Sequence, residues 1–539
     1  MLQVIHDILD RNAVTIAGAP FLGMMCHVQG GVLSYDQEAF RAVQSRLAEW
    51  WPMLTVRTMP SRPRVLVMVN SLPPGLPAYL RPMLPSYEER ALCHVMALAR
   101  NDHTRVIYVT SMPMLPRLAS YYLDLLADLT PPEAAERLAL VSVSDSSDRP
   151  LVSKILDRPL LLQRLRALIG DTRYGLLMPY SVGALEAELA VALDIPVYGP
   201  DPGLAHLGSK SGSREVFAAA GVAMARGMSG LRDRGDVVDA LHELRNAGLA
   251  RKAAIKTEYG FSGQGNAVID LSTTHDRASV NAALDRLLPD DSSLSTEAFL
   301  ERFSHAGGVV EEWLEGEATC SPSVQLRASP LGEVEVLSTH DQLLGGPGGQ
   351  TYMGCRFPAS PPFVEPLSRL GRDVGEELTR RGVIGRFGVD FLCTRRDGVW
   401  RHHALEVNLR NGGTTHPTLT LLALTDSGYD QVSGQLMART GPKCYSATDH
   451  LQRVEYTRLT PDDVFDVVSA AGLGWDPATE TGVALHMVSG VAVAGNLGAT
   501  AIADSPSDAD ALMARLRSAL DAAVDFGQSG KGETRAGQS

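Results

Sequence analysis

From residue 64 onward the chain runs through short apolar stretches, RVLVMVN, RVIYVTS, RLALVSVS and YGLLMPY, separated by longer segments with helical spacing. Short β-branched runs bounded by polar residues read as strands buried on both faces. The intervening YEERALCHVMALAR, PRLASYYLDLLADL and GALEAELAVALD read as helices. This alternation predicts a parallel sheet with helices on its faces over 61–203, closed by a Pro/Gly boundary at Pro200 to Gly203. Residues 1–60 form an N-terminal extension with a Gly-rich patch at Gly30 and Gly31 and a predicted helix over 37–51.

The pattern then changes. A helix is predicted from Ser209 to a stop at Gly221, and KAAIKTEYGFSGQGN predicts a strand running into a Gly-rich turn. Strand-like segments joined by turns such as Arg396-Asp397-Gly398 predict an antiparallel sheet, interrupted by one helix over 364–381. Beyond Pro442 a small α/β unit follows over 443–527, with strand-like VALHMVSG and GATAIA and a helix from Asp508 to about Ala523. The polar, Gly-rich tail over 528–539 is expected to be disordered. The fold class is therefore α/β and α+β, multidomain.

Composition narrows the function. A chain of 539 residues exceeds what one core organises, so several domains are expected. With 49 basic against 62 acidic side chains the formal charge is −13, which argues against a general nucleic-acid or anionic-membrane binder. No apolar run of about 18 residues is present, and the N-terminus lacks the basic start of a secretory signal. Cys26, Cys93, Cys320, Cys355, Cys393 and Cys444 show no C-x-x-C spacing, which fits neither a cysteine zinc site nor a disulfide framework and points to the cytoplasm.

The strongest chemical signal is Val389-Asp390-Phe391, a turn, and then Leu405-Glu406-Val407-Asn408-Leu409-Arg410. Alternation along a strand sends Glu406, Asn408 and Arg410 to one face, and the turn lets Asp390 join them from the neighbouring strand. Two carboxylates and an amide oxygen are the hard donors that Mg²⁺ takes. An acid on a strand ordinarily just faces solvent, but the apolar flanks here would strand two buried charges without a cation. Arg410 can equally serve as a counter-ion for Glu406. A second signal is Lys256 followed by the Gly-rich 260–265, a loop whose backbone amides suit phosphate oxygens. The lysine precedes the glycines, so it is not a Walker A loop, and a flexible hairpin fits the same residues. The third, Val309-Val310-Glu311-Glu312-Trp313-Leu314-Glu315-Gly316-Glu317, describes a hinge that could meet an adenine edge, or an edge strand with solvated acids.

The order of these features, from Ser209-Lys210 through Lys256, the Glu-Glu-Trp-Leu-Glu-Gly-Glu segment and Val-Asp-Phe to Glu-Val-Asn-Leu-Arg, resembles the ATP-grasp superfamily over roughly 203–417. The resemblance implies a pre-ATP-grasp α/β domain (61–203), an ATP-grasp domain (204–442) with a mobile lid at about 222–310, and an ADP-forming carboxylate–amine ligase. It implies ATP contacts from Lys210 and Lys256, with Gly260, Ser262, Gly263 and Gly265 in the lid loop. Glu311, Glu312 and Leu314 would line the adenine pocket, and Glu317 or Glu315 would hold ribose. Asp390, Glu406 and Asn408 would bind two Mg²⁺ ions, with Arg410 facing the transferred phosphoryl group. Ser338 to Gln342 and the segment 345–358 are similar to the pheganomycin-type peptide ligases, which implies peptide-bond formation in natural-product biosynthesis. Arg356 is expected to meet a substrate carboxylate or the γ-phosphate. His416 would line the acceptor pocket, although a lone histidine is more often structural. Single amino acids as substrates, or a catalytically dead nucleotide-binding module, are the alternatives. Small-molecule or peptide partners are expected, with a homodimer allowed and neither nucleic acid nor membrane involved.

Overall fold

The computed structural model describes residues 35–55, 64–72, 78–100, 103–126, 130–248, 251–260, 265–291, 294–346 and 349–529. The expectations for 1–34, for Ser262 and Gly263, and for the tail from 530 lie outside the described residues.

Strands β1 (Arg64–Val69), β2 (Thr104–Thr110), β3 (Leu138–Ser142) and β4 (Gly175–Pro179) form a four-stranded sheet in the order β3-β2-β1-β4, all parallel. The reason β1 is apolar from Val65 to Val69 is visible in its two faces. Val65, Val67 and Val69 pack against the helices that include Leu151–Leu156 and Ala184–Leu193. Leu66 and Met68 face the other way, into a core shared with Val483, Leu485, Leu516 and Leu520 from the C-terminal end of the chain. A strand covered on both sides loses its alternation, as the sequence shows.

The second sheet is antiparallel and contains β5 (Gly227–Leu231), β6 (Lys252–Thr257), β7 (Asn266–Asp270), β8 (Leu288–Pro289) and β9 (Gly308–Glu312), in the order β5-β9-β6-β7-β8. Its core is separate and built from Val237, Leu241, Ile255, Ile269, Phe299 and Phe303.

The third sheet has 11 strands. It begins with β10 (Ala318–Cys320), β11 (Pro322–Ala328), β12 (Val334–Gly345), β13 (Thr351–Phe357), β14 (Gly385–Arg396) and β15 (Val399–Asn408). It continues through β16 (Tyr429–Asp430), β17 (Gln435–Ala438), β18 (Gly441–Gln452), β19 (Gly482–His486) and β20 (Asn496–Ala503). The C-terminal α/β unit does not stand apart: β18 pairs with β13 and β20 pairs with β18, so its strands extend the central sheet. The helix Pro361–Arg380 covers the face carrying Val324 and Leu326.

Two local readings change. The predicted helix over 37–51 is two, Gln37–Gln44 and Leu47–Thr55. The segment 87–100 begins as the α-helix Leu84–Glu89 but continues as a 3₁₀ helix, Arg90–Arg100. Three successive charged residues there are buried, each with its own partner. Glu88 accepts from Ser111 N (2.7 Å), Glu89 from Ser489 N (3.2 Å), and Arg90 donates to Asp449 (2.8 Å). Pulling neighbours in three directions is not compatible with a regular amphipathic face. No helix among the described residues is long and apolar enough to cross a membrane.

Candidate active site

The β14–β15 hairpin turns at Asp397 and Gly398, both with positive φ (52° and 74°), the geometry that joins strands through a two-residue loop. That turn sets the pairing as far as Phe391 opposite Ala404, and a one-residue bulge at Leu405 then shifts it so that Asp390 lies directly opposite Glu406 and Gly388 opposite Asn408. Asn408 Nδ2 donates to Asp390 Oδ2 (2.9 Å) and to Glu406 Oε1 (3.4 Å), and Gln342 Nε2 donates to Asp390 Oδ1 (2.6 Å). Burial raises the Asp390 pKa against the pull of Lys210 and Arg410. The three oxygen-bearing side chains expected to gather on one face do so.

Lys210 reaches this cluster from the helix Lys210–Ala220 and forms an ion pair with Glu406. Ser209 caps that helix by accepting from Gly212 N (3.0 Å). Gly212 is required where it stands, because a Cβ there would lie 1.9 Å from the His206 carbonyl oxygen. Burial, and then the nearby Lys256 charge, lower the Lys210 pKa to about 8. The second sheet is tied to the same helix end: Lys210 N donates to the Glu258 carbonyl (3.0 Å) and Ser211 N to the Glu258 carboxylate (2.9 Å).

Lys256 Nζ sits 2.7 Å from Glu311 Oε2, and Arg214, one turn beyond Lys210, donates to Glu311 Oε1 (2.5 Å). Glu311 is 5% exposed, and although burial works to raise its pKa, Lys256 and Arg214 prevail and lower it. Its carboxylate is therefore shared between two cations, Lys256 and Arg214. Glu312 Oε1 accepts from Arg226 N (2.9 Å), Leu314 is half-buried, and Glu315 is exposed with Lys252 3.9 Å away. The Glu317 carboxylate accepts from Asp397 N (2.9 Å) and so caps the β14–β15 turn. Gly265, at φ 95°, closes the loop that follows β6 by accepting from Thr257 N (2.8 Å), and Gly260 lies at the loop's other end.

Arg410 leaves the end of β15 toward the parallel sheet, where Nη1 donates to Tyr180 Oη (3.2 Å). Arg90 lies over the same ring at 5.5 Å. Burial works to raise the Tyr180 pKa, but the two guanidiniums outweigh it and lower it. A cleft here is lined by Asn70, Arg90, Tyr180, Asn411, Gly412 and His416, at the C-terminal ends of β1 and β4, where open parallel sheets characteristically bind ligands. His416 is 6% exposed, and burial lowers its pKa to about 3 against the pull of Asp449.

Arg356 does not join the site. Ser323 pairs with both Asp390 and His340, so Asp390, His340 and Gln342 share a face, as does Cys355 opposite Gln342. Arg356, one residue further along, points away. Both oxygens of Asp510 lie 2.9 Å from its Nε. Conversely, sequence reasoning missed Gln342, Arg214, Tyr180 and Arg90. The four-residue step from Lys210 to Arg214 and the strand-end position of Tyr180 were the available signals.

A family model described as "IQCH-like, ATP-grasp" matches residues 292–409, and one described as "PGM1 C-terminal domain" matches 463–516. The L-propargylglycine–L-glutamate ligase of Streptantibioticus cattleyicolor is 32% identical over 438 residues, covering 80% of this chain and 88% of that protein. IQ motif-containing protein H of Danio rerio is 24% identical over 86% of this chain, which spans 49% of that longer protein. An ADP complex of N5-carboxyaminoimidazole ribonucleotide synthetase overlaps with a TM-score of 0.49 at 14% identity, covering 86% of this chain and 98% of that one. With a relative at this identity running through most of its length, the chain belongs to the ATP-grasp family of ATP-dependent carboxylate–amine ligases.

Proposed function

We propose that this protein activates the carboxylate of an amino acid as an acyl-phosphate and transfers the acyl group to the amine of a second amino acid or a peptide. The observation that carries this reading is the Asp390–Glu406–Asn408 cluster set against Lys210. The relative named above joins one amino acid to another by its printed name, which supports amino-acid substrates and a place in natural-product biosynthesis. In this reading 61–203, 204–442 with its lid at about 222–310, and 443–527 are the working units. Five free cysteines among the described residues are in keeping with a reducing cytoplasm.

The donor set fits Mg²⁺: two carboxylates and an amide on adjoining strands, with one carboxylate buried enough to hold a raised pKa. Asp390, Glu406 and Asn408 would hold the metal, which would supply neutralisation of the charge that builds on the phosphoryl oxygens. Lys210 and Lys256 take the ATP phosphates, and the loop 260–265 (Gly260, Ser262, Gly263, Gly265) closes over them and excludes water. Glu312 and Leu314 border the base, and Glu315 holds ribose. Arg410 orients the acid so that its oxygen attacks the γ-phosphorus with ADP leaving. The same guanidinium stabilises the oxyanion when the amine attacks the acyl carbon and phosphate departs. The amine enters through the cleft beside Tyr180 and Asn411.

The test is a screen of amino-acid and peptide pools for ADP release, with products weighed by mass spectrometry and hydroxylamine added in parallel. The expected result is a product lighter than its two substrates by one water, and a hydroxamate when the acid is supplied without its amine. ATP binding with no substrate-dependent ADP release across the pools would return the chain to a nucleotide-binding module.

A further inference from the structure

Away from the ATP-facing cluster, three buried side chains aim their ligand atoms at one point. His416 lies in the first turn of the helix Thr415–Thr425, Asp449 sits in the irregularity of β18 between Thr448 and Leu451, and His486 ends β19. Their exposures are 6%, 4% and 3%. The two Nε2 atoms are 3.0 Å apart, and Asp449 Oδ1 is 2.7 Å from His486 Nε2 and 3.2 Å from His416 Nε2.

Hydrogen bonds satisfy this triangle poorly. A neutral imidazole brings one proton, and its Nε2 either carries it or presents a lone pair. If both Nε2 atoms carry protons, two N–H groups must share the one Asp449 oxygen and crowd each other across the 3.0 Å edge. If one does, another edge sets lone pair against lone pair. A cation bound by all three atoms removes the conflict, and the nearly equal edges resemble one face of a coordination shell.

The surrounding structure makes room for this arrangement. Arg90 donates to the other oxygen of Asp449 (2.8 Å), which keeps Oδ1 turned to the imidazoles. The His486 ring lies against Gly498 on the paired strand, where any Cβ would come within 2.0 Å of Nε2. Met487, the next residue, holds φ at 54°, a conformation rare for a non-glycine residue and found where the surroundings enforce it. The bulge at Asp449 is of the kind that re-aims a strand side chain.

We propose that His416, Asp449 and His486 bind one first-row transition-metal dication of the zinc, cobalt or manganese class. Two imidazoles and one carboxylate suit those ions and not Mg²⁺, which prefers an all-oxygen set such as the one at Asp390. The ion joins the 3₁₀ helix Arg90–Arg100 (through Arg90), the loop Asn411 to Thr415 ahead of His416, and the C-terminal strands, at the wall of the cleft beside Tyr180. It is independent of the ligase reading, which would stand without it.

The test begins with full-length protein stripped of metal and titrated with Co²⁺. We expect visible d–d absorption saturating at about one ion per chain, displaced by Zn²⁺ and not by Mg²⁺. The signal should persist in Glu406→Gln and vanish in His486→Ala and Asp449→Asn. Because removing a buried group can unfold the chain, X-ray absorption of Zn²⁺-loaded wild-type protein provides a reading without variants, with two imidazole scatterers expected. Folded wild-type protein that develops no Co²⁺ absorption, or a signal that survives His486→Ala, overturns the proposal.

Discussion

Replacing Glu311 by Gln separates a positioning residue from a nucleotide contact. The carboxylate lies 2.7 Å from Lys256 and 2.5 Å from Arg214, all three groups being largely out of water. At an effective dielectric of about 20 each contact carries roughly 6 kcal/mol of Coulomb attraction, most of it offset by the cost of burying the charges. Removing the shared anion leaves two cations facing a neutral amide, and breaking buried pairs in this way costs about 3–5 kcal/mol. The side chain keeps its shape in Gln, so packing of β9 between β5 and β6 is undisturbed at the outset.

That loss is large beside the roughly 5–15 kcal/mol that holds a domain together, and it falls on the five-stranded sheet. Amide exchange in 227–231, 252–257 and 308–312 should accelerate by about two to four powers of ten, while the parallel sheet is unaffected. The KM for ATP should rise because Lys256 is no longer held, with kcat at saturating ATP changing less. If exchange in those strands is unchanged and only the KM for ATP rises, Glu311 touches the nucleotide directly and the positioning argument is wrong.

Glu406→Gln should lower turnover by about 10²- to 10³-fold, the usual loss when a charge-stabilising group is removed from a transition state, read by coupled ADP release. Near-wild-type turnover takes Glu406 out of the mechanism. ATP affinity should be flat below pH 8 and weaken above it by up to about tenfold per unit, as the Lys210 amine with its pKa near 8 loses its charge. The same depressed pKa means the fold is relieved of a buried cation as pH rises from 8 toward the ordinary lysine value, so stability should not fall in that window. ATP titrations by calorimetry across pH 7 to 10 check the first statement and thermal melts over the same range the second, with Lys210→Arg as the non-titrating control. Arg356→Ala should leave kcat and KM within about threefold and cost no more than about 1 kcal/mol in a melt, since its pair with Asp510 is roughly 40% exposed on both sides. A hundredfold loss of turnover would restore it to the site.

The parts of the fold and site that could be read from the sequence are those encoded within one hairpin or one helix. Asp390, Glu406 and Asn408 meet through one hairpin turned at Asp397-Gly398, with a bulge at Leu405 that alternation alone does not foresee and that brings Glu406 opposite Asp390. Ser209 and Gly221 bracket their helix for equally local reasons, a side-chain cap and a left-handed stop. What the sequence leaves open lies where one charge has several candidate partners at long range. Glu311, Arg356 and Glu317 each carry the residue type their expected roles demand. The protein partners they take stand on elements 55 to 154 residues away, or at a hairpin tip 80 residues on.

The same reasoning explains why the C-terminal segment was read as a separate unit. Its strands alternate and its helix is amphipathic, which says that it buries a face but not against what. In the fold, β18 and β20 extend the central sheet while Leu485, Leu516 and Leu520 complete the core beneath Leu66 and Met68 of the parallel sheet. The strand that carries Arg356 and the cleft that carries Tyr180 are thereby fixed to one framework. Asp449 and His486 are brought to His416 and Arg90 by that same closure. A histidine that looked structural as a lone residue thus acquires its chemistry from neighbours contributed by the far end of the chain, a relationship no periodicity within the segment around His416 could express.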